Sequence, residues 1–320
     1  MKKITIVIPF LNEGDEPLKT TINLNESANT ELFDIILIQD SPGKLPFTVP
    51  PEYKNVKVVI NEERQGVCGA RMTGVALAET PYILLTDAHM RFDKNDWLEK
   101  TIAELEANPK TLFCCVTKGV TNDVLDHKTG GGYGCYILMK NTQVEGTNAS
   151  FDNIMLSPKW LSDNKALQRY EIPCVMGAYY AMSKEWFNYI GGLRGLYMWG
   201  GDEPCLSMKT WMMGGQVVLL KDIVVGHKYR DQVSPLPYQL YNWYKLYNAL
   251  YIAAVLFPDD LVDAAADHLR LIPFKGDVDA AMRHFKKHMQ EIKKDREEFQ
   301  PKIVRDINWF CEYFKLEKFW

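Results

Sequence analysis

Four short apolar runs rich in Ile, Val and Leu, at residues 4–10, 34–39, 56–60 and 82–86, recur through the first third of the chain, with helix-like segments at 17–24 and 67–78 between them. Continuous apolar runs of this length are what strands buried on both faces require, and strands alternating with helices dictate an α/β sheet with parallel neighbours. In open sheets of that kind ligands gather beyond the carboxyl ends of the strands. Polar residues stand at those ends here: Asn12 and Glu13 after the first run, Asp40 and Ser41 after the second, Asp87 and His89 after the fourth. A pocket is thereby located before any chemistry is assigned to it.

With 320 residues, 47% of them hydrophobic, the chain can bury a large core. A formal net charge of −4 excludes a surface built throughout for a polyanion, while leaving room for a local basic patch. The seven cysteines, at 68, 114, 115, 135, 174, 205 and 311, are odd in number and lack C-x-x-C spacing. They read as reduced thiols in a cytoplasm, not as a zinc ribbon or a disulfide framework. Met1-Lys2-Lys3 and the apolar run after it meet Asn12, Glu13 and Asp15 where a secretory leader would carry a small-residue cleavage site, so a buried strand is the better reading. The apolar stretch 249–257 is too short for a membrane span, which needs about 20 residues. A cytoplasmic chain without a transmembrane segment is expected.

Residues 111–172 change character, with strand-like pieces at 111–117 and 135–139 broken by Gly130-Gly131-Gly132 and polar loops. A strand is expected at 175–183, a helix at 184–189, and then a glycine-rich stretch, 191–201. Beyond Pro235 and Pro237 the pattern turns helical, with Leu240, Tyr244, Tyr247 and Tyr251 at spacings of three and four. These features divide the chain into a sheet-bearing domain, 1–232, whose halves meet near residue 110, and a helical extension, 233–320.

Three groups of residues could carry chemistry. Asp87 and His89 follow the fourth strand at i and i+2, a spacing that puts both side chains on one side of an extended chain. An oxygen and an imidazole suit a borderline cation such as Mn²⁺, with Zn²⁺ or Fe²⁺ possible on ligand type; a solvated aspartate beside a core histidine is the bland alternative. Arg64 and Arg71, seven residues apart, could face one side of a helix and present planar donor forks to phosphate, or lie on a surface. Trp199-Gly200-Gly201-Asp202-Glu203 offers two carboxylates after an aromatic, able to orient or deprotonate a hydroxyl, or to act as acids at a helix N-terminus. Gly226-His227-Lys228-Tyr229-Arg230 follows the apolar 223–225, so His227 could complete a metal shell and Arg230 could reach a diphosphate.

The stretch from Arg64 to His89, RQGVCGARMTGVALAETPYILLTDAH, resembles the donor half of the polypeptide N-acetylgalactosaminyltransferases: an Arg-x-Gly, a second arginine in the next helix, and a strand ending in Asp-x-His. The resemblance resumes at 175–178, passes through Gly191-Gly192 and Trp199-Gly200-Gly201-Asp202, and ends at Gly226-His227-Lys228-Tyr229-Arg230. At the amino end, Pro9, Asn12, Glu13, Asp40 and Ser41 are similar to the family's nucleotide-binding segments. Bacterial or phage family 2-like glycosyltransferases share the wider class. The resemblance implies a glycosyltransferase-A fold, a Rossmann-like mixed sheet with flanking helices. Residues 1–110 would be its nucleotide-binding half and 111–232 its acceptor-side half. It implies Asp87, His89 and His227 as ligands of Mn²⁺, with Mg²⁺ as an alternative. Pro9, Glu13, Asp40, Arg64, Arg71, Asp87 and Arg230 would bind the donor, Asp40 at the uracil and Trp199 over the diphosphate. Asp202 stands where the family has a glutamate, one methylene shorter, and Glu203 where it has an asparagine. The family's membrane anchor and lectin module have no counterpart in these residues.

The implied reaction is metal-dependent transfer of a sugar from a UDP-sugar to an acceptor hydroxyl, with retention by same-face attack. A base at Asp202 or Glu203 on the opposite face would instead invert. The acceptor stays open among a protein, an envelope glycan precursor and a modified nucleic-acid base. The segment 283–294 carries lysines, histidines and Phe285 that could touch phosphates, but Glu291, Asp295, Glu297 and Glu298 make it a solvated helix face. Two other classes keep the same ligands: a nucleotide-sugar-binding protein without transferase activity, and a metal-dependent hydrolase that releases free sugar.

Overall fold

Strands β1 (Ile4–Phe10), β2 (Phe33–Gln39), β3 (Val56–Ile60) and β4 (Tyr82–Thr86) pair in parallel in the order β3-β2-β1-β4, joined through helices α1 (Glu16–Ser27) and α2 (Gly66–Leu77). The structure, a computed structural model, describes residues 1–142, 150–162, 170–229 and 238–320. Because the chain leaves β1 towards β2 and β3 and then returns to β4 on β1's other side, the order switches between β1 and β4. A crevice opens at the carboxyl ends of such a pair. Strands β1, β2 and β4 are buried almost throughout, as their continuous apolar runs require. The reading of 56–60 as a buried strand is corrected: β3 lies at the sheet edge, has no fully buried residue, and leaves Ile60 42% exposed.

The second half of the sheet is mixed. After β5 (Met90–Phe92) and α3 (Trp97–Ala107) come β6 (Thr111–Thr121), β7 (Val124–Leu125) and a small separate hairpin of β8 (Cys135–Ile137) with β9 (Pro158–Trp160). Next, β10 (Tyr179–Ser183) inserts antiparallel between β4 and β6. Helices α4 (Lys184–Tyr189) and α5 (Asp202–Met212) precede β11 (Gln216–His227), which runs parallel to β6 and antiparallel to β5. The strand expected over 175–183 begins only at Tyr179, because Ala178 adopts φ 90°, outside the extended region. Pro235, Pro237 and parts of the 111–172 loops (143–149 and 163–169) lie outside the described residues.

The carboxyl-terminal region folds into α6 (Trp243–Leu256), α7 (Asp259–Arg270), α8 (Lys275–Lys287), α9 (Met289–Phe299) and α10 (Ile307–Phe314). Of the apolar spacing that marked this region, Tyr244, Tyr247 and Tyr251 are buried in α6, whereas Leu240 lies before the helix and is only half-buried. Leu246, Leu250 and Ile252 share one hydrophobic cluster with Cys68 and Val75 of α2 and with Met208 and Trp211 of α5. Among the described residues no helix is long and apolar enough to cross a membrane. All seven cysteines are free and buried.

Each large apolar side chain that α6 buries contributes about 1.5–3 kcal/mol. Cutting the chain after residue 232 is therefore expected to leave a fragment without a cooperative thermal transition by circular dichroism. A sharp transition near that of the full chain would show that the sheet folds without these helices.

Candidate active site

Strand β4 ends at Thr86, and the chain turns through Asp87, Ala88 and His89 into β5. The motif sits in a turn and not in extended chain as its spacing suggested. Thr20 of α1, fully buried, fixes this turn by donating from Oγ1 to the Ala88 carbonyl (2.7 Å) and accepting from the Met90 N–H (3.0 Å). Antiparallel pairing sets His227 opposite Met90, and the Lys228 N–H donates to the His89 carbonyl at 3.0 Å. The ladder thus closes a gap of 138 residues. His227 Nε2 lies 3.0 Å from His89 Nε2 and 3.3 Å from Asp87 Oδ2, and one donor atom from each of these residues falls within 4.8 Å of the others.

The donor set fits a divalent cation. Glu13, just past β1, takes His89 Nδ1 at 2.7 Å, which fixes the tautomer and turns the Nε2 lone pair towards the other two groups. His227 Nδ1 is buried and has no hydrogen-bond partner among the described residues, so a proton on His227 Nε2 can bridge His89 and Asp87. An ion replacing that proton, with donors at about 2.1 Å, would space neighbouring octahedral ligands roughly 3.0 Å apart, the separation the two imidazoles already have. Burial opposes ionisation of Asp87, yet the hydrogen bond from His227 and the charge of Arg71 outweigh it and hold the carboxyl well below the usual carboxylate range.

Arg71, 2% exposed, connects this cluster to the Trp199 segment. Its Nη2 donates to Asp87 Oδ1 at 2.8 Å, its Nη1 donates to Asp202 Oδ2, and its guanidinium stacks 4.8 Å from the Tyr180 ring. Arg64 precedes helix α2, whose N-cap is Gln65, so the two arginines do not share a helix face. Arg64 donates instead to the Gln239 carbonyl at 2.9 Å and lies 5.6 Å from the Tyr238 ring. Asp40 accepts from Asn61 Nδ2 (3.0 Å), Gln65 N–H (2.9 Å) and Gly66 N–H (2.8 Å), and burial pushes its carboxyl up despite these bonds. It thereby ties the end of β2 to the start of α2. Gly66 adopts φ 75°, and a Cβ there would meet the Met198 backbone at 2.1 Å, so only glycine admits the close pass of the Trp199 turn.

Two cavities meet over these groups. One is lined by Pro9, Glu13, Asp40, Arg64, Asp87, His89 and Trp199. The other, of about 450 Å³, is lined by Arg71, Asp87, Trp199, Asp202 and Glu203 together with Asp152, Lys159, Trp160 and Lys245. Asp87 and Trp199 border both. Asp202 opens helix α5 after Gly201, whose φ of 83° lets the chain turn into the helix. Burial, followed by the neighbouring charge and hydrogen bond of Asp202, pushes the Glu203 carboxyl well above its ordinary value. Arg230 lies outside the described residues.

Sequence reasoning missed Thr20 and Asn248. Thr20 gives no signal, being one threonine on an amphipathic helix. Asn248 does give one: it is an amide inside the apolar run Leu246-Tyr247-Asn248-Ala249-Leu250, where a buried polar group must find partners.

The family model "Glycosyl transferase family 2" matches residues 5–191, and the chain belongs to that family. The chain is 28% identical over 250 residues to human polypeptide N-acetylgalactosaminyltransferase 10, an alignment covering 74% of this chain and 39% of that protein. With polypeptide N-acetylgalactosaminyltransferase 11 of Xenopus tropicalis the identity is 26% over 245 residues, 71% of this chain and 38% of the relative. The chain thus spans about two fifths of the length of these curated relatives. The crystal structure of GalNAc-T7 with UDP, GalNAc and Mn²⁺ superimposes with a TM-score of 0.68 at 22% identity, covering 98% of this chain and 57% of that one. Residues 1–349 of S. aureus TarS with UDP-GlcNAc match at 0.51 and 12%, covering 90% and 73%. The fold is glycosyltransferase-A, with carboxyl-terminal helices.

Mn²⁺ is expected to raise the thermal midpoint of the parent and not that of Asp87→Asn or His227→Ala. Glu13→Gln should weaken Mn²⁺ binding by ~10–100-fold. Glu203 supplies a separate test. A carboxyl whose folded pKa is raised costs stability as pH climbs above its unfolded value of about 4.3, until the folded pKa is reached. Glu203→Gln should therefore match the parent near pH 4 and exceed it in midpoint by a margin that grows towards alkaline pH; a constant difference would contradict the assignment.

Proposed function

We propose that the chain is a metal-dependent glycosyltransferase that moves a sugar from a UDP-sugar to an acceptor hydroxyl with retention at the anomeric carbon. The observation that carries this reading is the convergence of Asp87, His89 and His227 at the border of two adjoining cavities. The cavity walled by Pro9, Asp40 and Arg64 takes the nucleotide; the one walled by Trp199, Asp202 and Glu203 takes the sugar and the acceptor. The complexes of GalNAc-T7 with UDP and Mn²⁺ and of TarS with UDP-GlcNAc support a uridine diphosphate donor on this fold.

A divalent cation held by Asp87, His89 and His227, Mn²⁺ or Mg²⁺, supplies positive charge that offsets the charge developing on the diphosphate leaving group. Glu13 keeps His89 in the ligating tautomer. Arg71, engaged on two sides by carboxylates, holds Asp87 and Asp202 in fixed relation. Arg64 stands at the mouth of the nucleotide cavity, where its guanidinium suits phosphate oxygens. Arg230, two residues past Lys228, is assigned there from the sequence motif. Asp40 shapes the nucleotide wall by fixing Gln65 and Gly66, and Trp199 covers the junction of the cavities.

The protonation states support retention. Burial and the neighbouring Asp202 shift the Glu203 carboxyl towards its protonated form, and the Asp202 carboxylate is committed to Arg71, so neither is set up as a base on the opposite face. The acceptor proton then passes to the leaving phosphate oxygen on the same face. Asp202 and Glu203 orient the acceptor.

Thermal shifts across UDP-, GDP- and CDP-sugars, each with and without Mn²⁺, test the donor. A UDP-sugar with Mn²⁺ should give the largest rise, and no metal-dependent rise with any donor contradicts the reading. Proton NMR of the first-formed product tests the stereochemistry: an α-linked donor should give an α-linkage, and a β-linkage overturns retention.

A further inference from the structure

Helix α6 does more than pack. The turn that carries Trp199 into Asp202 belongs to no strand or helix and meets Gly66 in an isolated β-bridge at Met198: Met198 has φ 55°, Gly200 φ 87° and Gly201 φ 83°, and α5 starts without a side-chain cap. Left-handed residues in such succession keep one conformation only if something outside the turn holds their polar groups. For Tyr197, Trp199 and Gly200 that partner is the side chain of Asn248, fully buried in the middle of α6. Its Oδ1 accepts from the Tyr197 N–H at 2.7 Å, and its Nδ2 donates to the carbonyls of Gly200 (2.6 Å), Tyr197 (3.0 Å) and Trp199 (3.2 Å). A Cβ at Gly201 would stand 3.1 Å from Asn248 Cβ, so the helix also limits how far the turn can settle. One helical turn earlier on α6, Lys245 places Nζ 4.6 Å over the Trp199 ring. Asn248 lines neither cavity.

We infer that Asn248 is a positioning residue: from the carboxyl-terminal helices, its amide fixes the Tyr197–Gly200 backbone and thereby the stations of Trp199 and Asp202 in the site. The inference rests on the proposed transferase reading for its catalytic meaning, but not for its structural content. A side chain that only filled core would be replaceable by any group of equal volume. This one is used as both donor and acceptor on a single turn, the arrangement that shape alone does not demand. Asn248→Asp isolates the donor half, because it keeps the shape and the acceptor oxygen but turns a second oxygen towards the carbonyls of Tyr197, Trp199 and Gly200.

The test labels the full chain with 5-fluorotryptophan and follows the fluorine resonances, with that of Trp199 assigned by Trp199→Phe and those of Trp186 and Trp211 by their own phenylalanine variants. In Asn248→Asp and Asn248→Ala the Trp199 resonance should move or broaden while those of Trp186 and Trp211 stay in place. Turnover of a UDP-sugar per folded molecule should fall ~10–100-fold with the donor KM changed far less, as a misplaced group predicts. If those two chains do not fold, Asn248→Ser, which keeps one donor and one acceptor on a shorter stem, is read in the same way. A Trp199 resonance unmoved in every folded variant overturns the inference, as does unchanged turnover in a variant whose Trp199 has moved. Should the parent itself turn over no donor, the transferase reading fails, and the fluorine comparison still decides whether Asn248 holds the turn.

Discussion

The pairing of β5 with β11 is the constraint on which the site depends. Asp87 and His89 are close in sequence, but His227 arrives from the far end of the sheet, and only the register that sets it opposite Met90 brings its imidazole to the other two. A slip of one residue would turn that side chain to the other face of the sheet. The register is reinforced locally by the Lys228 N–H on the His89 carbonyl and by Thr20 across the Ala88–Met90 turn. Outside the cluster, buried Arg91 pairs with Glu16 and Asp123, and Lys228 pairs with Glu16, so the strands are also pinned by opposite charges.

Arg71 carries that constraint to the start of α5. A guanidinium with 2% exposure between Asp87 and Asp202 makes the two carboxylates members of one network. Removing one partner of such a buried pair costs about 3–5 kcal/mol, because the remaining charge is stranded. The network therefore holds geometry more than it adds net stability. Its far end is the Trp199 turn, which α6 holds from the opposite direction through Asn248. The Asp87–His89–His227 cluster, the acids of α5 and the carboxyl-terminal helices thus form one mechanical unit.

Much of this is legible in the sequence. The runs at 4–10, 56–60 and 82–86 coincide with strands because a strand buried on both faces must be continuously apolar, and helix α2 follows from the segment between them. Val56 to Ile60 is the exception in burial, since four β-branched residues and a lysine read alike at an edge and in a centre. The meeting of Asp87, His89 and His227 is what the resemblance to the N-acetylgalactosaminyltransferases implies, and periodicity alone could not have shown it, because β5 is three residues long and bears no pattern. Arg71 was legible as a site residue but not as a buried bridge between carboxylates, since a sequence does not reveal which charges face each other. Asn248 was visible only as an oddity in an apolar run. Its partners are backbone atoms, which carry no residue identity.

The most direct test of the account is the nitrogen coupling in the pulsed electron paramagnetic resonance spectrum of the chain with one equivalent of Mn²⁺. Two directly bound imidazole nitrogens in the parent, and one in each of His89→Ala and His227→Ala, are the predicted results. A spectrum of fully hydrated Mn²⁺, unchanged by either substitution, would contradict the convergence of these three side chains on one ion.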